Sequence, residues 1–332
     1  MAMAYEMGSQ SGPPVEPARS AIVLAGGDGT RLRELTRQIA GDDRPKQFCP
    51  LIGERTLIEE TRQRVARSVW PSRTFFSVTT THARFYAPLL ADVRSRQVVA
   101  QPENRGTAPA IVYALLRLVA AAPHDAVAIL PSDHYVSDDA QFMAHVDAAF
   151  DLVTARPDLV TLLGLTPDRP ETEYGWIEAA QTILGPRGRL FHAVRSFWEK
   201  PDAGLARTLF ENGCLWNSFV TVGLGTTLLR LIEETLPDLT RIFLPIRRFI
   251  GTALETTMVE SVYRELPPAD FSKGVLGRSA ARLAVLPVRG VAWSDLGRPE
   301  RVLAIGGTAP LPRSTLLPRV RALRYGRLTR EA

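Results

Sequence analysis

Cysteine is scarce in this chain: 332 residues hold two, Cys49 and Cys214, far apart and in no CxxC spacing. That argues against a disulfide framework or a thiolate zinc site and fits a reducing, cytoplasmic compartment. Long apolar runs are missing, and none approaches the ~20 residues that a membrane helix needs. The first 19 residues, MAMAYEMGSQSGPPVEPAR, lack the apolar core of a secretory signal and read as a disordered tail. Charge excess is local. The net charge is +5, and the six arginines of the last twenty residues, set against Glu331, account for all of it. Segment 306–332 is thus a basic tail on an otherwise near-neutral chain. With no RNP-type aromatic pattern and no finger spacing, nucleic acid is not the expected partner. The sequence is compatible with a homo-oligomer.

What is present is a chain with 45% hydrophobic residues, enough for one large core. Strand-like runs alternate with helix-like stretches. AIVLA (21–25), TFFSVTT (74–80), QVVAQP (97–102), AVAIL (126–130) and LVTLLGL (159–165) read as strands. TLIEETRQRVARSV (56–69), TAPAIVYALLRLVAAA (107–122) and 138–154 have apolar residues at helical spacing. The alternation predicts an α/β fold with a mostly parallel sheet. Beyond about 170, YGWIEAA, HAVRSFWEKP and SFVTVGLG predict antiparallel or mixed strands, then helices near 226–264 and a strand pair, RLAVLPV and GVAW. No low-complexity linker divides residues 20–305, which read as one domain with a nucleotide half and a later acceptor half.

The stretch AGGDGTRL (25–32) ends the first strand in glycines. A dinucleotide fingerprint fails because Leu32 takes the place of the third glycine, and a P-loop fails because no lysine follows Gly29. A turn remains whose backbone N–H groups can face a polyphosphate, followed at once by Arg31. Fifteen residues after Arg31 stands Lys46 in RPKQF, which can fold over the same phosphates. Asp133 follows the strand AVAIL and Asp295 follows GVAW, where ligands gather at the carboxyl ends of strands. Two such carboxylates can share one Mg²⁺ with nucleotide phosphates.

AGGDGTRL and PKQF, followed in order by QPENRGTAPAI (101–111), PSDH (131–134), EYGWIE (173–178), FWEKP (197–201), LWNS (215–218) and WSDLG (293–297), resemble the sugar-1-phosphate nucleotidylyltransferases. Within that family they are most similar to the mannose-1-phosphate guanylyltransferases. The resemblance implies a Rossmann-like nucleotidyltransferase (GT-A-like) fold, with a mixed, mostly parallel central sheet flanked by helices. It implies transfer of a nucleotidyl group from an NTP, with GTP foremost, to a sugar 1-phosphate, with mannose 1-phosphate foremost. Pyrophosphate would leave. Arg31 and Lys46 are the expected catalytic cations, and Asp133 and Asp295 the Mg²⁺ ligands. Ala25, Gly26, Gly27, Gly29, Thr30, Gln101, Gly106 and Thr107 are expected at the nucleotide. Gly175, Glu178, Glu199, Lys200 and Asn217 are expected at the sugar phosphate.

Some positions depart from the guanylyltransferase pattern. Gln101 and Gly106 give a Q-P…G loop like that of thymidylyl enzymes, so Gln101 could read a base edge through its amide. WNSFV and DFSKGVLGR (270–278) bear on sugar identity. Another NTP/sugar pair and a non-catalytic nucleotide-sugar-binding paralogue stay open, the latter disfavoured because all four of Arg31, Lys46, Asp133 and Asp295 are retained. Trp176, Trp198 and Trp216 read equally as core walls.

Overall fold

A computed structural model describes residues 17–308. In chain order its strands are β1 (Arg19–Leu24), β2 (Thr74–Thr79), β3 (Val98–Gln101), β4 (Ala126–Pro131), β5 (Tyr135–Val136) and β6 (Val160–Leu165). Then come β7 (Gly175–Leu184), β8 (Leu190–Glu199), β9 (Leu215–Leu224), β10 (Leu283–Val288) and β11 (Trp293–Ser294). Nine of them form one sheet in the order β3-β2-β1-β4-β9-β6-β10-β8-β7. β1 pairs in parallel with β2 and β4, and β6 with β10. β8 and β9 alone run against the rest, which gives the mixed, mostly parallel sheet that the alternation predicts.

One pairing differs from expectation. RLAVLPV and GVAW do not pair with each other. β10 enters the main sheet between β6 and β8, while β11 pairs with β5 in a separate two-stranded ribbon. The ribbon draws the segment after PSDH to the segment around WSDLG, 160 residues away in sequence.

The helices cover both faces. Thr107–Ala121 packs its apolar residues on one face with Ile22, Phe75 and Val127, and Asp139–Ala155 packs on the other with Val23, Ala128 and Leu130. Local signals set their starts. Thr56 and Glu59 form a reciprocal capping box before Leu57–Val65, and the Asp138 carboxylate accepts from the N–H of Gln141. The first of these is shorter than its apolar periodicity suggests and ends in turns before Pro71. Among the described residues no helix is long and apolar enough to cross a membrane. The expected tails lie outside the described residues apart from their inner ends. Arg19 already belongs to β1, and 306–308 close the helix Pro299–Thr308.

Candidate active site

The glycine turn lies at the carboxyl end of β1, clamped from behind. Gln47 donates to the carbonyls of Ala25 (3.1 Å) and Gly27 (2.7 Å), and Thr79 donates to that of Gly26 (2.9 Å). A Cβ at Gly26 would press on Thr79 Oγ1 and Gln101 Nε2, and one at Gly29, whose φ is +57°, would press on the Lys46 N–H. The sequence therefore needs glycine at both places. With the carbonyls held, the N–H groups of residues 26–29 have no acceptor among the described residues. They form an anion-binding turn beside the exposed Thr30.

Asp28 ties this turn to the QPENRGTA loop by accepting from Asn104 (2.9 Å) and facing His82 Nε2 at 3.3 Å. That loop is stapled to DFSKG. Gly106 has φ +89°, and a Cβ there would overlap the Ala269 carbonyl, which accepts from the Ala108 N–H (3.0 Å). The Thr107 hydroxyl accepts from the Phe271 N–H (2.8 Å). Gln101 does not stand where a base edge can reach its whole amide. It is buried behind Gly26, its Oε1 accepts from the Tyr263 hydroxyl (3.0 Å), and its Nε2 donates to Ser77 (3.3 Å). Its amide thus belongs to the scaffold of the turn.

Lys46 is the centre of the second group. Its side chain is 11% exposed, with Nζ 3.2 Å from Asp133 Oδ2 and donating to the carbonyl of Asp295 at 2.5 Å. The ammonium thus bridges PSDH and WSDLG. The Asp295 carboxylate accepts from Arg301 (2.6 Å), the Tyr174 hydroxyl (3.1 Å) and the Gly297 N–H (2.8 Å). Burial pushes the Asp295 carboxyl up, but His134, Lys46 and Arg301 around it hold it below the usual carboxylate range. His134 is enclosed, and burial, reinforced by Lys46, pushes its imidazole down to about 4 despite Asp133 and Asp295 nearby. It is therefore neutral at physiological pH and packs edge-on to Trp293.

Arg31 is exposed and reaches Glu173 at 3.2 Å. Glu173 also accepts two bonds from Arg298 (2.9 and 2.8 Å) and one from Arg301 (3.0 Å). Arg301 in turn reaches Glu171 at 2.8 Å and covers the Tyr174 ring. Sequence reading missed Gln47, Glu173, Arg298 and Arg301. Gln47 lies inside the quoted PKQF, and Glu173 opens EYGWIE, but only the fold reveals their partners.

The residues expected at the sugar phosphate come from β7, β8 and β9. Gly175 pairs with Glu199, and a Cβ on Gly175 would touch Glu199 Oε2, Phe197 and Asn217. These residues share one face of the sheet. Lys200, at φ +49°, turns back so that its Nζ lies 3.3 Å from Glu199 Oε1. Burial raises the Glu199 carboxyl above its ordinary value, Lys200 opposes this, and Asp270 adds to it. Glu178 does not join the group. Three residues beyond Gly175, it falls on the opposite face by the two-residue period of a strand and pairs with Arg195 at 3.0 Å. Glu178 thus stands apart from Gly175, Glu199 and Asn217.

A glycine turn, a lysine that links the Asp133 carboxylate to the Asp295 carbonyl, and the cluster of Gly175, Glu199 and Asn217 thus occupy one end of the sheet. The family model for nucleotidyl transferases matches residues 20–306. The chain belongs to the nucleotidyl transferase family. This nucleotidyl transferase is 32% identical over 297 residues to a mannose-1-phosphate guanylyltransferase of Sinorhizobium fredii, a match covering 86% of the chain and 54% of that relative. It is 28% identical to a mannose-1-phosphate guanylyltransferase of Escherichia coli strain K12, over 83% of the chain and 57% of the relative. The chain spans about half the length of the curated relatives it matches. Its fold is similar to a solved structure described as a mannose-1-phosphate geranyltransferase from Thermus thermophilus, with a TM-score of 0.74 and 31% identity. That likeness covers 88% of this chain and 80% of the other.

Proposed function

We propose that this nucleotidyl transferase moves a nucleotidyl group from an NTP to a sugar 1-phosphate and releases pyrophosphate. GTP and mannose 1-phosphate are the pair that the relatives' names support, giving GDP-mannose in the cytoplasm. The observation that carries the reading is Lys46, lodged between Asp133 and the Asp295 carbonyl beside a turn of free backbone N–H groups. No nucleophilic side chain is required. The sugar phosphate oxygen attacks the α-phosphorus, and the chain has to align two anions and offset their repulsion. The turn and Arg31 meet the β- and γ-phosphates, Lys46 stabilises charge on the departing pyrophosphate, and Glu199 and Asn217 hold the sugar hydroxyls. Lys200 meets the sugar phosphate.

The residues fit a divalent ion. Among the described residues no group of three His, Cys, Asp or Glu side chains gathers, but the Asp133 carboxylate and the Asp295 carbonyl are hard oxygen donors on either side of an ammonium, and the Asp295 carboxylate lies on the same residue. Mg²⁺, held by Asp133 and Asp295, would supply charge neutralisation to the triphosphate.

The test is a pyrophosphate-release assay crossing each common NTP with several sugar 1-phosphates. Turnover is expected with GTP and mannose 1-phosphate. Turnover with a different pair replaces the substrate assignment, and no release with any pair removes the reaction itself.

A further inference from the structure

Behind the acceptor cluster, on the other face of the sheet, lies a cavity of about 440 Å³ between the ends of β6 and β10. Trp216, Trp293, Leu165 and Val288 form its apolar walls, and Asp168 and Arg289 are among its polar ones. It is separate from the active site by strand geometry. Asn217 faces Gly175 and Glu199, so its neighbour Trp216 faces away, into the apolar cluster that also holds Leu165 and Val288.

Three observations mark it as a place for a ligand. Trp216 is 5% exposed, yet its indole N–H has no hydrogen-bond partner among the described residues. A buried donor left unpaired costs free energy that an acceptor on a ligand would recover. The guanidinium of Arg289 has no ion pair among the described residues, and neither do the N–H groups of Gly290 and Val291 have an acceptor. The volume falls in the range of small-molecule sites.

The chemistry of the lining is mixed in a specific way. The indole of Trp293 suits the C–H face of a sugar ring, while Trp216 is covered by the Arg169 guanidinium and offers its N–H; Thr166 and Asp168, the latter also paired with Arg169 at 2.8 Å, suit the hydroxyls. Arg289 and the free amides of its loop suit a phosphate. We propose that this cavity is a second binding site, which takes a hexose phosphate independently of the catalytic cleft. Trp293 forms a wall of the cavity and packs on Tyr174, whose hydroxyl holds Asp295, so the site lies one aromatic ring behind the proposed metal carboxylate.

Isothermal titration calorimetry of the full chain with mannose 6-phosphate, whose phosphate is not at the acceptor position, tests it. Saturable binding at one equivalent is expected. Arg289→Ala should weaken it about tenfold or more, the loss of a charge-assisted contact, and Trp216→Phe roughly fivefold, the loss of one neutral donor with the ring kept. Glu199→Gln, in the cleft, should leave it unchanged. Because Arg289 is exposed, its substitution keeps the fold. Absence of saturable binding overturns the proposal, as does binding that is indifferent to both cavity substitutions or lost with Glu199→Gln. The outcome is independent of the pyrophosphate assay, so a failure here leaves the proposed reaction standing, and the reverse holds as well.

Discussion

The two walls of the cleft are prepared differently. On the nucleotide wall each expected cation already has an anionic or carbonyl partner within the chain. Lys46 holds Asp133 and the Asp295 carbonyl, and Arg31 holds Glu173. On the acceptor wall, Gly175, Glu199 and Asn217 are set side by side by strand register, and the glycine leaves open the space that a side chain would fill. On the proposed reading, the first wall exchanges partners when a triphosphate arrives. The second is formed in advance. Exchange suits a ligand of high charge, which can outcompete a carboxylate, and preformation suits a sugar, whose hydroxyls offer only modest energy per contact.

The largest effect should come from breaking the exchanging wall at its centre. Lys46→Ala is expected to lower turnover roughly a hundredfold or more, as removal of a transition-state donor does. It should leave sugar-phosphate affinity nearly unchanged by calorimetry. Normal turnover would remove Lys46 from the reaction.

Next in size is the preformed wall. Glu199→Gln should raise KM for the sugar phosphate about tenfold, whereas Glu178→Gln, on the other face, should alter it little. Burial raises the Glu199 carboxyl, so its accepting, ionised form disappears at a higher pH than for an ordinary glutamate. The acid limb of kcat/KM should therefore lie above the usual carboxylate range in the native chain and flatten in the variant. For stability the sign is reversed. The protonated form favours folding, fully at low pH, and that contribution fades as pH rises through the folded value. Equal KM effects of the two substitutions would erase the distinction between the faces.

The smallest effect concerns how easily Arg31 is released. Arg298 and Arg301 remain on Glu173 when Arg31 departs, and the Arg31 contact is the longest of the set. Glu173→Gln removes a competing negative charge from the path of the triphosphate. It should tighten NTP binding about threefold, more at low salt. Weaker binding would mean that Glu173 orients Arg31 instead of retaining it.

Much of this was legible in the chain. Alternating apolar runs announced the sheet and its helices, and the glycines of AGGDGTRL announced a turn with free amides, because those features are local. Asp133 and Lys46 come together because β1 and β4 end on the same side, and the turn that holds Lys46 packs back on the glycines that follow β1. What could not be read was partnership. The parity of Glu178 was legible, since three residues beyond Gly175 in a strand is the opposite face, but its pairing with Arg195 was not. Gln101 looked available because its burial comes from Tyr263, 162 residues away. Arg301 carries no signature before the helix Pro299–Thr308 brings it against Asp295. The pairing of β11 with β5, where β10 was expected, has the same origin: a two-residue strand is too short to declare its neighbour.

The staple between Gly106 and Ala269 sets a length. Two segments more than 160 residues apart meet there with no room for a methyl group, and Asp270, the next residue, lies within electrostatic reach of Glu199. The loop proposed to face the base and the carboxylate proposed to hold the sugar therefore work like the jaws of a fixed caliper. On that reading, a change that widened one jaw for a different base is expected to shift the other, so the choices of nucleotide and of sugar are expected to be linked.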